Sequence, residues 1–300
     1  MKNKIFILFT LTFVIVSISF SQAGTTGLSF LKIGQGSRAV SMGEAYSVIG
    51  SEPYAIYYNP AGLTLSSNTQ AVFSHREWIQ GTKSEFLGAT THLGDVAIGF
   101  GLHSVSVADI ELRTNPGPSI GTFDAKNVAI GLALAMDITP EISLGVTGNY
   151  LYEKIFIDEA SGFGLNFGAL YKTPWKVNLG LAVDNVGSMN EFNTTASSLP
   201  TTFRFGGAYE FPVESLQGNV IVATEIVSVK DEGKAHLHIG AEYEYQQMFA
   251  IRLGYESGYE SKDLTTGIGF KYSIFNFDYA FVPVKLDLGS SHTFTLGVSF

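Results

Sequence analysis

No cysteine occurs among the 300 residues, which excludes disulfides, thiolate metal sites and a cysteine nucleophile. Charge is scarce too, at 15% of residues, and basic charge is the scarcer kind, with 18 Lys and Arg against 27 Asp and Glu. Two of those basic residues, Lys2 and Lys4, fall in a predicted leader whose removal takes the net charge to about −11. A nucleic-acid partner is thereby excluded, because phosphate binding needs a basic face. After residue 23 no uncharged apolar run reaches the roughly eighteen residues that a spanning helix needs. If the chain crosses a membrane, it crosses as strands.

What is present fits strands. The chain holds 33 glycines, 23 phenylalanines and 14 tyrosines, the composition of short amphipathic strands carrying aromatics rather than of a helical enzyme. The last nine residues alternate strictly, with Phe294, Leu296, Val298 and Phe300 on one side and Thr293, Thr295, Gly297 and Ser299 on the other. Bacterial outer-membrane barrels close with such a strand, since the last strand must pair with the first and leave no open edge in lipid.

The N-terminus carries a matching address. Lys2 and Lys4 form a basic region, Ile5 to Phe20 an apolar one, and Ser21-Gln22-Ala23 a small-x-small cleavage site, predicting a secretory signal peptide over residues 1–23 and a mature start near Gly24. A membrane anchor is the competing reading, but about sixteen apolar residues is short for a bilayer and no charged stop-transfer flank follows.

Residues 24–66 differ from the strand region. The spacing predicts a short helix from Gly34 to Ile49, with Ser37 as N-cap and Ala39, Val40, Met42, Ala45, Tyr46 and Ile49 as its apolar positions. Asn59-Pro60 and Gly62 then force a turn. Such a segment is too apolar for a free tail, and the inside of the barrel is the nearest surface it can cover.

From residue 67 to 300 the period-2 pattern yields about fourteen strands, an even number as a single-chain bacterial barrel requires. The clearest are Val128/Ile130/Leu132/Leu134/Met136, Val177/Leu179/Leu181/Val183, Phe203/Phe205/Tyr209/Phe211 and Phe275/Phe277/Tyr279/Phe281. Tight turns are expected at Thr139-Pro140, Thr173-Pro174 and Ile274-Phe275-Asn276, and looser outer loops at Asp109 to Lys126 and Gly187 to Pro200. The predicted fold is all-β: a transmembrane antiparallel barrel of about 14 strands with an N-terminal helical hatch in its lumen. A soluble sandwich or propeller also alternates, but neither accounts for a terminal aromatic strand together with tyrosines at strand ends such as Tyr150, Tyr152, Tyr171, Tyr209, Tyr245 and Tyr279.

If the apolar stripes face lipid, the alternate residues face the lumen. Many are small: Ala129/Gly131/Ala133/Ala135, Gly180/Ala182, Gly206/Ala208 and Gly267/Gly269 let the wall approach an occupant closely. Later strands add an inward ionisable set of Arg204, Glu210, Glu225, His236, His238, Glu242, Glu244, Arg252, Glu256, Lys271 and Asp278, read mainly as solvation and anchoring of the hatch. Arg38, the one basic residue of the hatch helix, is expected to pair with one of Glu210, Glu225, Glu242 or Glu256.

Catalysis finds little support. His236 and His238, with Glu242 and Glu244 on the same strand face, could chelate a metal, but His-x-His is common and no third ligand is fixed by spacing. The remaining histidines, His75, His92, His103 and His292, are placed inward or at loops, away from any activated serine in the lipid belt. Gly162-Phe163-Gly164 lies within a strand and lacks the following helix of a phosphate loop. No cofactor, metal or catalytic residue is assigned.

Phe30-Leu31-Lys32-Ile33-Gly34, Ser37-Arg38-Ala39, Met42-Gly43-Glu44-Ala45-Tyr46 and Tyr57-Tyr58-Asn59-Pro60-Ala61-Gly62-Leu63 resemble the N-terminal signature of the PorV/PorQ family of outer-membrane proteins, part of the larger group similar to the FadL fatty-acid transporter. The resemblance implies a fourteen-stranded barrel with an N-terminal hatch in the outer membrane, and places Asn59-Pro60-Ala61 at the hatch motif shared with those transporters. It implies contact with outer-membrane lipid and service to type IX secretion, by binding cargo C-terminal domains or secretion-complex proteins. The alternative it carries is transport of a hydrophobic small molecule. The residues it marks are Gly34, Arg38, Met42, Gly43, Tyr46, Asn59, Pro60, Ala61 and Gly62.

Overall fold

The computed structural model describes residues 27–192, 195–230 and 232–300; the expected signal peptide at 1–23 lies outside them. The strands are β1 (Gln70–Glu77), β2 (Thr82–Leu93), β3 (Val96–Leu112), β4 (Gly121–Asp137), β5 (Ile142–Ile155), β6 (Asp158–Lys172), β7 (Val177–Phe192) and β8 (Thr195–Ser198). They continue with β9 (Thr202–Val213), β10 (Gly218–Val229), β11 (Ala235–Tyr245), β12 (Phe249–Glu256), β13 (Leu264–Tyr272), β14 (Phe275–Pro283) and β15 (Ser290–Ser299).

Each wall strand pairs antiparallel with its sequence neighbours, and β1 pairs with β15 from Gln70↔Ser299 to Glu77↔His292, closing the sheet. The short β8 only folds back along the end of β7, which also pairs with β9, so fourteen strands form the wall. At the seam the Phe300 N–H donates to the Thr69 carbonyl at 2.9 Å, so the alternating terminal strand sits in the closing position. Closure leaves no edge of unpaired amides in the bilayer, where each would cost several kcal/mol.

The pleat sorts the side chains as the sequence implies. Leu132, Phe163, Phe205, Leu253, Ile268 and Leu296 stand exposed on the outside, whereas Ala133, Ala182, Thr293 and Thr295 are buried inside. A soluble sandwich would bury the large residues, and so continuous an apolar exterior marks a lipid-facing surface.

Every connection at the end of the barrel that holds Thr69 and Phe300 is short, from 94–95 at β2–β3 to 138–141 at β4–β5. The longer connections lie at the other end, which identifies it as the outer side. Two expected outer loops turn out to be mostly strand. Between Asp109 and Lys126, β3 and β4 stay paired through Leu112↔Gly121 after a bulge between Val107 and Ile110, leaving 113–120 as loop. Between Gly187 and Pro200, β7 runs on to Phe192 and β8 returns along it. Turn-forming residues gave the loop signal there, but a ladder that extends past the bilayer overrides it.

The wall is uneven. β3 and β4 each have 17 residues, β1 and β12 only 8, so the outer rim is tall on one flank and low on the other.

Residues 28–66 lie within this wall. They form a 3-10 turn at Ser29–Lys32, helices at Ser37–Ser41 and Ala55–Tyr58, and a second 3-10 turn at Pro60–Leu65. The segment enters at the outer end, where the Gly27 N–H donates to the Ser198 carbonyl at 3.0 Å, and leaves at the opposite end into β1. The single helix expected from Gly34 to Ile49 is not formed. It stops after Ser41 because Gly43 (φ 61) and Glu44 (φ 56) enter the left-handed region, which breaks the helical ladder. Ser37 is not the N-cap either. Gly36 occupies that position, and the Ser37 hydroxyl bonds the Thr293 carbonyl at 3.0 Å and the Thr295 hydroxyl at 2.8 Å on β15.

Candidate functional site

The interface between the N-terminal segment and the inner wall is built from glycines on the wall side. A Cβ at Gly168 of β6 would collide with the Asn59 Oδ1, and one at Gly254 of β12 with the Gly43 amide nitrogen. A Cβ at Gly145 of β5 would strike the Ala61 nitrogen, and at Gly267 of β13 it would sit 2.5 Å from the Ser41 Cβ. Any larger residue would hold the segment off the wall. The segment answers with small groups of its own, since a Cβ on Gly62 would meet the Gly50 carbonyl.

Asn59-Pro60-Ala61 does two jobs at once. The Asn59 Oδ1 accepts from the Ala61 N–H at 3.1 Å and caps the 3-10 turn, with Pro60 at its first position where a missing N–H costs nothing. The Asn59 Nδ2 donates to the Ala169 carbonyl of β6 at 3.2 Å. One helical turn earlier, the Ile56 carbonyl accepts from the Thr147 hydroxyl and the Asn166 amide, each at 3.0 Å, so β5 and β6 supply the donors that the end of a short helix lacks.

Opposite this contact lies the charged half of the lumen, in three groups. In the first, Arg38 engages Glu242 of β11 bidentately, Nε to Oε2 at 2.9 Å and a terminal nitrogen to Oε1 at 2.7 Å, while its other terminal nitrogen reaches Glu52 at 2.7 Å. Arg252 binds the same Glu242 and also Asp278, at 2.6 Å, and the Tyr46 hydroxyl donates to Glu52. In the second, Arg204 bridges Asp184 at 3.2 Å and Glu225 at 2.8 Å, and Glu225 accepts from the Ser47 N–H at 2.9 Å. In the third, Lys262 of the β12–β13 loop reaches inward to Glu44 at 3.2 Å and Glu256 at 2.6 Å.

Of the four acids expected near Arg38, the structure gives it Glu242. Glu225 and Glu256 belong to the other two groups, and Glu210 is exposed at the short-turn end of β9. Met42 and Tyr46 are fully buried, and the Gly34 carbonyl accepts from Arg76 at 3.0 Å. His236 and His238 point inward, but the Tyr259 ring stacks on His236 and the Tyr259 hydroxyl lies 3.1 Å from the His238 Nε2. Glu242 is held by two arginines, so the His-Glu set does not converge. His103 is buried inward, bonded to Gln35 and Ser84, whereas His75 and His292 lie on the outward face, contrary to expectation. The one-residue parity of β1 and β15 decides that, since both share the face of Phe73 and Phe294.

Glu52, Asp184, Tyr259 and Lys262 were not among the expected residues. Glu52, Tyr259 and Lys262 sit in connections without periodicity, and Asp184 adjoins Asn185, whose φ of 59 interrupts the alternation of β7. Burial pushes the Glu44 carboxyl up, but Lys262 pulls it down to about 2 from an ordinary value of 4.5. The Glu44–Lys262 contribution is therefore complete above pH 4.5 and lost as the pH falls through about 2, whereas burial holds the neighbouring Glu256 carboxyl above its ordinary value despite Lys262 and opposes it. Replacing Lys262 by Gln leaves Glu44 and Glu256 without their shared ion-pair partner, at a cost of about 3 kcal/mol. The expected result is a lower temperature for the heat-modifiable gel shift and faster proteolysis within 257–263; an unchanged transition would show the pair to be solvated.

The solved structures that this fold resembles include hydrocarbon transporters and channels. The Ralstonia pickettii toluene transporter TbuX matches at 13% identity with a TM-score of 0.57, over 89% of this chain and 97% of that one. The CymD monoaromatic hydrocarbon channel matches at 13% identity and 0.61, over 91% and 97%. A Pseudomonas aeruginosa FadL homologue matches at 13% identity and 0.52, over 94% and 99%. At such identities the likeness shows a FadL-like barrel and nothing of the ligand. No curated protein sequence matches the chain. The profile of the type IX secretion system protein PorV matches residues 19–230, most of the chain, and with the closed barrel it makes this an outer-membrane protein of the PorV family.

Proposed function

We propose that the chain is a non-enzymatic outer-membrane barrel that binds or shuttles cargo, or machinery, of type IX protein secretion through its outer rim. The observation that supports this reading is the family match together with the N-terminal segment packed closely on the glycines of the inner wall. Binding on such scaffolds resides in the loops and rim. The tall flank formed by β3 to β7, with its hairpin at 113–120 and the return strand β8, supplies that rim. In this reading the N-terminal segment is a hatch kept shut, and Gly34, Arg38, Met42, Gly43, Tyr46 and Asn59 to Gly62 hold it.

A pull-down with the detergent-solubilised barrel tests the proposal. Recovery of secreted C-terminal signal domains or secretion-complex proteins is expected, and deleting 114–119 should reduce it at least fivefold. Recovery of neither would count against a secretion role.

The second reading, transport of a hydrophobic small molecule, draws on the FadL-like fold. Against it stands the cavity of about 270 Å³ at the short-turn end, lined by Arg38, Glu52, Glu244, Arg252, Lys271 and Asp278. An apolar ligand would desolvate those charges without pairing them. Slowed uptake of hydrocarbons in a deletion strain, restored by the parent gene, would favour transport.

A further inference from the structure

The outward face of β2 to β5 carries three lysines in a single cross-strand row. Lys83 pairs in register with Ser106, Ser106 with Lys126, and Lys126 with Lys154. All three lysines are exposed; Lys126 and Lys154 each end the apolar stripe of their strand toward the outer side, and Lys83 lies one outward position beyond Glu85, which follows the stripe of β2. Below Lys126 run Val128, Ile130, Leu132, Leu134 and Met136, and below Lys154 lie Tyr152 and Tyr150. From Val128 to Met136 the strand covers roughly 26 Å at ~3.3 Å per residue, which with the usual tilt accounts for most of the apolar band of a barrel. The lysines thus stand where the acyl chains of the outer leaflet end and the headgroups begin.

Lys126 and Lys154 face each other directly, an arrangement that costs free energy on a sheet unless an anion lies between them. Nearby carboxylates do not fill that role. Glu159, opposite Lys154, accepts from the Tyr152 hydroxyl at 2.8 Å, and Asp124 accepts from the Asp109 N–H at 3.1 Å. Glu111 pairs with Arg113, and Glu85 with His75 at 3.6 Å. Among the described residues no ion pair is made by Lys83, Lys126 or Lys154.

We propose that this row binds the phosphate of a phosphorylated glycolipid of the outer leaflet, with Lys126 and Lys154 bridged by one phosphate, Lys83 and the Ser106 hydroxyl extending the site, and the acyl chains on the stripe beneath. The inference goes beyond the secretion reading and depends only on the outer-membrane placement. Ammonium–phosphate pairs at the membrane boundary are strengthened by the adjacent hydrocarbon, and the apolar stripe confines the ligand to a lipid.

The test uses the full barrel purified in mild detergent, incubated with diphosphoryl lipid A or its dephosphorylated form and read by native mass spectrometry. The expected result is retention of the phosphorylated form at least tenfold above the dephosphorylated one, and at least a fivefold loss in the double variant K126Q/K154Q. The control K176Q, at the opposite membrane face, should retain it fully, and the heat-modifiable shift of both variants should match the parent. Equal retention of both lipids, or undiminished retention by K126Q/K154Q, would overturn the proposal. So would equal competition by millimolar inorganic phosphate, or lysine-dependent capture of an acidic protein in place of the lipid.

Discussion

Replacing Arg38 by Glu is expected to give a barrel that conducts ions in planar bilayers, where the parent is expected to conduct none. Arg38 makes three charge-assisted hydrogen bonds to two carboxylates, and one of those, Glu242, has a side chain only 2% exposed. Arg252 is the other guanidinium on Glu242 and is shared with Asp278. The variant would place its new carboxylate among Glu52, Glu242 and Asp278, with Arg252 as the one guanidinium left on Glu242. Breaking a buried pair while leaving the partner charged costs roughly 3–5 kcal/mol, and adding a like charge raises that. The segment carries the cost, because the wall is fixed by its ladders. It should therefore leave the wall between Arg38 and Glu52 and open the polar cavity at the short-turn end to the lumen. Arg38→Met, which removes the cation without adding an anion, should conduct less. A closed R38E barrel with an unchanged gel shift would mean that Met42, Tyr46 and Ile49 hold the segment by apolar contact alone.

The parts of this arrangement that were legible in the sequence are those governed by a period. Two-residue alternation fixed which face of each strand meets lipid, and the terminal set from Phe294 to Phe300 identified the seam. The small inward residues announced a close occupant, and parity placed Glu242, Arg252 and Asp278 on one inner surface. Partner choice was not legible. Arg38 had four candidate acids in alternation-equivalent positions, and only the stagger of β9 to β12 decides which one the helix Ser37–Ser41 reaches. Glu52 and Lys262 were invisible because a connection has no period to set its side chains inward or outward. The broken helix was missed for a related reason: Gly43 is tolerated by a helical pattern, and its positive φ is imposed by the approach of the β12 backbone at Gly254.

Substituting Gly168 by Val is expected to free the middle of the N-terminal segment while leaving the barrel intact. The Cβ would overlap the Asn59 Oδ1 and come within 2.8 Å of the Pro60 Cδ, so the strain falls on a rigid proline and a side chain already committed to the Ala61 N–H. Asn59 cannot rotate away without giving up that cap, worth about 1 kcal/mol, and its bond to Ala169. Overpacking adds another 1–3 kcal/mol or so. Moving Pro60 would also pull Ala61 from Gly145, so the contacts with β5 and β6 should fail together. The measurement is limited proteolysis of the refolded barrel, with cleavage expected between residues 50 and 66 in G168V and absent in the parent, at an unchanged gel shift. Gly148→Val is the matched control, since its Cβ would face outward with the nearest atom, the Leu165 Cδ2, at 4.0 Å. Equal protease resistance in both variants would mean that β6 does not hold the segment, and that its ion pairs on the opposite wall suffice.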